Sequence, residues 1–289
     1  MKVRRYLYSK SDVMRRKMLL ILSLVISTRV IAQDFTTQLY KEDGDRKLFL
    51  DVFVPKLKKS KKNAVIILFH GGALTAGQRE IMHSQCQFFS QMGIVAISPS
   101  YFLLPKKTTD FPSQVAISIA DAKSALQWVV AHCKEFGGDP KRTVMGGASA
   151  GGFLATAAVL NENGENAKVF LDVKALVLYN PAFSPKTRYT PDVLQFVTKN
   201  TPPTILLYGD KDSYKPVGDE FYNKLAEYGL RSEMWTAAGQ SHSFYKKANW
   251  GRASNVKIFN FLCKTGIVKG EELPDYDDAI LNFQPPVLP

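Results

Sequence analysis

A serine set among small residues is the first place in this chain where side-chain type and spacing could do chemistry. Gly147-Ala148-Ser149-Ala150-Gly151 matches the pattern G-x-S-x-G. An alkyl hydroxyl is a weak nucleophile at neutral pH and needs a base beside it. The pattern follows Thr143–Met145, a short apolar run expected as a strand, and opens the alanine-rich stretch Ala150–Leu160, expected as a helix. Strand, sharp turn and helix form the setting in which a serine hydroxyl stands clear of a sheet, with glycines where the turn leaves no room. The helix start also favours negative charge developing nearby. Alone, the pattern would serve equally as a turn that packs a helix on a strand, so its companions must decide.

Three companions have the required types. His70-Gly71-Gly72-Ala73 follows the run Ala64–Phe69. Glycines there let the backbone approach a ligand, so the N–H groups of Gly71 and Gly72, with that of Ala150, could bind an oxyanion. Ala73 stands where a third glycine is often found, and His70 is expected to orient the loop. Tyr208-Gly209-Asp210-Lys211-Asp212 ends another apolar run, and both aspartates could orient a base. Asp212, three residues past Gly209, is the one expected to do so, with Asp210 holding the turn. Among His70, His83, His132 and His242, only His242 lies in a late flexible loop, Ala238-Gly239-Gln240-Ser241, that completes the order Ser, Asp, His. His242 would take the proton of Ser149 during attack on an ester carbonyl and return it to the leaving alcohol, with Asp212 fixing the imidazole tautomer.

These residues need strand ends to hold them. Thr36–Tyr40 and Lys47–Val54 alternate in polarity and flank Asp43-Gly44, a hairpin signal. Ala64–Phe69, Ile94–Ile97, Thr143–Met145, Ala175–Leu178 and Thr204–Leu207 are continuous apolar runs, as in strands buried on both faces, and Ser232–Thr236 is a weaker last strand. Helical patterns fall between them at Ile81–Met92, Ser113–Phe136, Ala150–Leu160, Gly218–Tyr228 and Asn255–Cys263. In the longest, Val115, Ile119, Ala122, Leu126, Val129 and Cys133 form one stripe, with Ser113 as N-cap. Such alternation predicts an α/β fold: about eight strands, mostly parallel after an antiparallel start, with helices on both faces and chemistry at the strands' carboxyl ends. About 24 residues separate the strands ending near Tyr179 and starting at Thr204, room for a minimal cap.

The chain has 289 residues, 45% hydrophobic and 22% charged, which excludes disordered and collagen-like classes. Its net charge of +12 is uneven: residues 1–32 hold eight Lys/Arg against one Asp, and residues 271–289 hold five acids and no base. The run Lys56, Lys58, Lys59, Lys61 and Lys62 has no interleaved aromatics and reads as a solvated loop, so no nucleic-acid partner is inferred. Basic residues 2–17, apolar Met18–Ile26 and Val30-Ile31-Ala32 follow the grammar of a signal peptide cut after Ala32. The apolar stretch is about half of the ~20 residues that span a bilayer, so no stable membrane anchor is expected. The expected organisation is therefore a signal peptide (1–32), a catalytic domain (33–270) and an acidic tail (271–289), in a secreted or periplasmic protein. Three separated cysteines, Cys86, Cys133 and Cys263, read as buried thiols with at most one bridge.

Further blocks lie in order between the catalytic ones: Gly77-Gln78-Arg79, Phe111-Pro112, Asp121-Ala122 with Trp128, Phe136-Gly137-Gly138-Asp139-Pro140, Pro202-Pro203-Thr204 and Ser241-His242-Ser243-Phe244. With them, residues 45–268 resemble α/β-hydrolase fold serine esterases, more narrowly the secreted bacterial feruloyl/acetyl-xylan esterases and hormone-sensitive-lipase-like carboxylesterases. The resemblance implies an eight-stranded sheet, Ser/Asp/His catalysis, no cofactor or metal, and hydrolysis of short acyl esters, often borne on polysaccharide. A small-molecule or polysaccharide-borne ester is the expected partner, and no oligomeric state is implied. Tyr101, Phe102, Phe183, Tyr245 and Trp250, near strand ends or the histidine loop, are the aromatics expected to line the substrate surface. The rival readings are a serine peptidase of the same fold, a noncatalytic binding protein on the scaffold, and a polyanion-binding surface built on the lysine run.

Overall fold

A computed structural model describes residues 34–56, 62–161, 172–184 and 191–275. The expected signal peptide lies outside the described residues, as do the middle of the lysine run and residues 276–289 of the tail. The described residues from Phe35 onward belong to one compact unit.

Eight strands make one sheet in the order β1-β2-β4-β3-β5-β6-β7-β8. They are β1 (Thr36–Asp43), β2 (Arg46–Phe53), β3 (Asn63–Phe69), β4 (Val95–Pro99), β5 (Gly138–Ala148), β6 (Ala175–Tyr179), β7 (Thr204–Gly209) and β8 (Ser232–Ala237). The β1–β2 and β2–β4 pairs are antiparallel and every later pair is parallel. The hairpin closes on Gly44-Asp45, with Asp43 opposite Arg46 and Gly44 at φ 58°. Five α-helices cover the sheet among the described residues: α1 (His83–Gln91), α2 (Phe111–His132), α3 (Ala150–Leu160), α4 (Lys215–Glu227) and α5 (Ala248–Lys264).

Side chains alternate across a strand, so a strand covered on both faces must be apolar throughout. In β3, Val65, Ile67 and Phe69 enter the core shared with α2, α3 and α4, whereas Ala64, Ile66 and Leu68 enter the core shared with α1 and α5. The α2 stripe of Val115, Ile119, Ala122, Leu126 and Val129 is buried as its spacing predicts. The helix itself differs from expectation. It begins at Phe111, its cap is Asp110, whose carboxylate accepts the Ser113 N–H, and it gives way to a 3₁₀ turn at Cys133–Phe136. An aspartate ahead of Phe111-Pro112 is the better cap because proline suits the first turn. Strand β5 is also longer than Thr143–Met145, running from Gly138 to Ala148.

The minimal cap between β6 and β7 shows one 3₁₀ turn, Val193–Phe196, among the described residues. All three cysteines are free thiols, Cys86 and Cys133 buried. The start of the acidic tail is tied to α5: Asn260 donates to Leu273 O and accepts from Leu273 N, both at 2.8 Å.

Candidate active site

The sheet delivers every functional side chain to one edge, because β3, β5, β6, β7 and β8 run parallel and end together. At the end of β5 the backbone of Ser149 takes φ 54° and ψ −119°. Positive φ on a side-chain-bearing residue costs on the order of 1–3 kcal/mol, so its surroundings must impose it. They do: the Ser149 N–H donates to Tyr179 O, and Ser149 O accepts from Phe153 N and Ala182 N, at 2.9–3.1 Å. The turn also needs its glycines. A Cβ on Gly147 would lie 2.4 Å from Phe69 O, and one on Gly151 would lie 2.1 Å from the same oxygen.

His242 Nε2 lies 2.8 Å from Ser149 Oγ, and its Nδ1 lies 2.8 Å from Asp212 Oδ2. With a neutral imidazole, the serine hydroxyl donates to Nε2 and the Nδ1–H donates to the carboxylate. The carboxylate of Asp212 is fully buried and also accepts the Tyr214 N–H at 3.0 Å. Asp210 takes a different task, accepting the Gly239 N–H at 2.9 Å. With Lys211 N donating to Gln240 O, this stitches the β7 loop to the loop that carries the histidine.

Gly71 lies against the nucleophile: a Cβ there would sit 3.1 Å from Ser149 Cβ. The amides of Gly71 and Gly72 have no protein acceptor among the described residues, and Ala150, first residue of α3, has an orphan N–H by its position. The loop then holds left-handed φ values of 135°, 53° and 62° at Gly72, Ala73 and Leu74. Ala73 thus bears backbone strain that a third glycine would not.

His70 supports this loop from below. It is buried, its ring stacks on Tyr101 at 4.4 Å, and Nδ1–H donates to Gly71 O at 2.8 Å. Burial lowers its pKa to about 4, against the smaller opposing effects of the Gly71 carbonyl and Glu80. The unfolded chain takes up this proton near pH 6.5 and the folded chain not until about pH 4. Its contribution is therefore complete above pH 6.5 and is lost as pH falls, about 3 kcal/mol in all. Denaturant midpoints from pH 7 to 4 should fall less steeply for His70→Asn than for the wild type; equal slopes would refute this assignment.

The other histidines stand apart from the site. His83 Nε2–H donates to buried Asp51, beside Arg79, and His132 pairs with Glu135 on the surface. Among the described residues no cluster of three or more His, Cys, Asp or Glu could hold a metal.

The expected aromatic lining requires correction. Tyr101 is buried, with its hydroxyl on His70 O; Phe183 is fully buried against Phe221; Tyr245 packs on Tyr179; Trp250 packs on Trp235 and Phe244. Phe102 is half-buried under the Arg46 guanidinium, with its N–H on Asp121. Tyr101 and Phe183, just past strand ends, are covered by neighbouring helices and loops, and Trp250 is packed within α5.

Asn180 was not among the expected site residues. It is fully buried at the end of β6, with φ 39°, and its Nδ2 lies 3.4 Å from both ring nitrogens of His242. Its Oδ1 has no hydrogen-bond partner among the described residues. The signal for it was its place, one residue past a parallel strand's carboxyl end.

A family model described as BD-FAE matches residues 50–189, which hold the glycine loop and Ser149. Esterase LipQ of Mycobacterium tuberculosis is 24% identical over 281 residues, 84% of this chain and 65% of the relative. The probable carboxylic ester hydrolase LipM of the same organism is 34% identical over 133 residues, 43% of this chain and 30% of the relative. The chain thus spans less than two-thirds of the length of these curated relatives. Esterase 2 of Thermogutta terrifontis, in its propionate-bound structure, superposes with a TM-score of 0.72 at 25% identity, covering 82% of this chain and 97% of that one. Its form phosphorylated by paraoxon gives a TM-score of 0.74 at 24% identity, covering 82% and 96%.

Proposed function

We propose that this chain, which has the α/β-hydrolase fold, is a serine carboxylic ester hydrolase acting on short acyl esters, including esters borne on carbohydrate, after export from the cytoplasm. One observation carries the catalytic reading: a single imidazole bridges Ser149 Oγ and the buried carboxylate of Asp212 at 2.8 Å on each side.

His242 removes the Ser149 proton as Oγ attacks the ester carbonyl. The tetrahedral oxyanion falls to the amides of Gly71, Gly72 and Ala150. Those donors meet full negative charge only near the transition state, so they raise the rate more than the affinity. His242 then protonates the leaving alcohol, and water resolves the acyl-enzyme by the same path.

Three observations support the finer reading. Thermogutta terrifontis esterase 2 has been solved with propionate and with butyrate bound. The linker between β6 and β7 has about 24 residues, too few for a large cap over the alcohol side. Residues 1–32 have the grammar of an export signal. p-Nitrophenyl esters of rising acyl length, with acetylated and feruloylated xylan, test the substrate class. Acetate and butyrate esters should be hydrolysed faster than octanoate and longer esters. Preferential cleavage of peptides would overturn the ester reading.

A further inference from the structure

A second concave site lies between α1 and the start of α5, a groove of about 530 Å³. Its charged lining is of one sign: Lys246, Lys247 and Arg252 line it, and no Asp or Glu does. Among the described residues the side chains of Lys246 and Arg252 have no ion-pair or hydrogen-bond partner. Among the described residues Lys247 Nζ bonds only the neutral Gln240 Oε1, at 2.7 Å, which leaves its charge uncompensated.

The neutral polar groups of the lining are committed in one sense only. Gln85 accepts from Ser84 Oγ at 2.9 Å, and Asn255 accepts from Tyr179 OH at 2.6 Å. Each amide oxygen thereby already holds one donor, and neither NH₂ group has a protein partner among the described residues. Tyr245 also lines the groove; its hydroxyl is buried without a hydrogen-bond partner among the described residues, and burial raises its pKa, so it stays protonated. Lys247, at the N-cap of α5, offers no side-chain acceptor to that helix's first turn. Cations and N–H donors outweigh the acceptors the lining has left, chiefly Ser84 Oγ, so a ligand that only accepts matches it. A carboxylate does this, and bidentately toward a guanidinium. Pockets of several hundred Å³ hold small organic ligands, with polar groups fixing orientation.

From this lining we infer a binding site for a sugar-sized carboxylate, such as a uronic acid. Lys246 and Lys247 follow His242 by four and five residues, so one wall of the groove continues the histidine loop. The carboxylate could be part of the ester's alcohol or a free molecule. The binding itself does not depend on the ester-hydrolase reading; only the first source does.

Isothermal titration of the whole protein with D-glucuronate and, separately, D-glucose tests it. Glucuronate should bind and glucose should not. The Lys246→Gln/Arg252→Gln double variant, with the wild type's thermal unfolding midpoint, should lose affinity about tenfold or more. Equal binding of the two sugars, or binding of neither, overturns the proposal, and this comparison needs only the wild type. Glucuronate is then tested against p-nitrophenyl acetate hydrolysis. Competitive inhibition assigns the carboxylate to the substrate; inhibition of no kind, with binding intact, assigns it to a free ligand. A wild type that binds glucuronate but hydrolyses no ester would sink the ester-hydrolase reading and leave this site standing.

Discussion

Replacing Ser149 by alanine is expected to lower kcat on p-nitrophenyl acetate by about 10⁶-fold, leaving only the residual rate that oxyanion donors and binding supply. The reason is geometric. Oγ is the one atom held 2.8 Å from Nε2 of His242 at the turn where the strained backbone lifts it. Alanine removes that atom while its Cβ keeps the turn, so the fold should stay intact, and circular dichroism would verify this. A fluorophosphonate should add its mass to the wild type at Ser149 and to the variant not at all. Equal turnover by both proteins would end the acyl-enzyme mechanism.

The second large effect separates two aspartates. Asp212→Asn should cost about 10⁴ in kcat, because an amide in place of the carboxylate can hold the imidazole in the wrong tautomer and cannot stabilise the imidazolium. Asp210→Asn should cost far less, since an amide oxygen can still accept the Gly239 N–H that Asp210 now receives. Its loss should appear mainly in the stability of the histidine loop, read as faster proteolysis near Gly239. Measuring kcat/KM for both variants decides the matter. A larger loss at 210 than at 212 would reverse the roles.

Much of the scaffold could be read in advance because burial leaves marks on composition. Ala64–Phe69, Ala175–Leu178 and Thr204–Leu207 had to be apolar throughout, since helices cover both faces of those strands. The glycines at 147 and 151 were forced by a turn in which any Cβ meets the Phe69 carbonyl. Edges were harder. Gly138–Arg142 extend β5 at its open end, where Gly138 pairs with Asn63 across a register shift that the side-chain pattern does not mark. The aromatics were misplaced because an aromatic near a strand end has the same local pattern whether it faces solvent or a helix. Tyr101 and Phe183 are buried by Tyr101's stacking on His70 and Phe183's packing on Phe221, contacts between segments far apart in the chain.

Local sequence determined the strand–turn–helix at Ser149, the donor-rich glycine loop and the chain order of serine, acid and base, because each rests on steric needs met within a few residues. The spacing from Gly209 pointed to Asp212, but tertiary structure alone brought its carboxylate to the imidazole and laid Asn180 against the ring. Those contacts join residues 30 and 62 positions apart. They depend on how the β7 and β8 loops are stitched together, and two aspartates separated by a single lysine end up facing different partners.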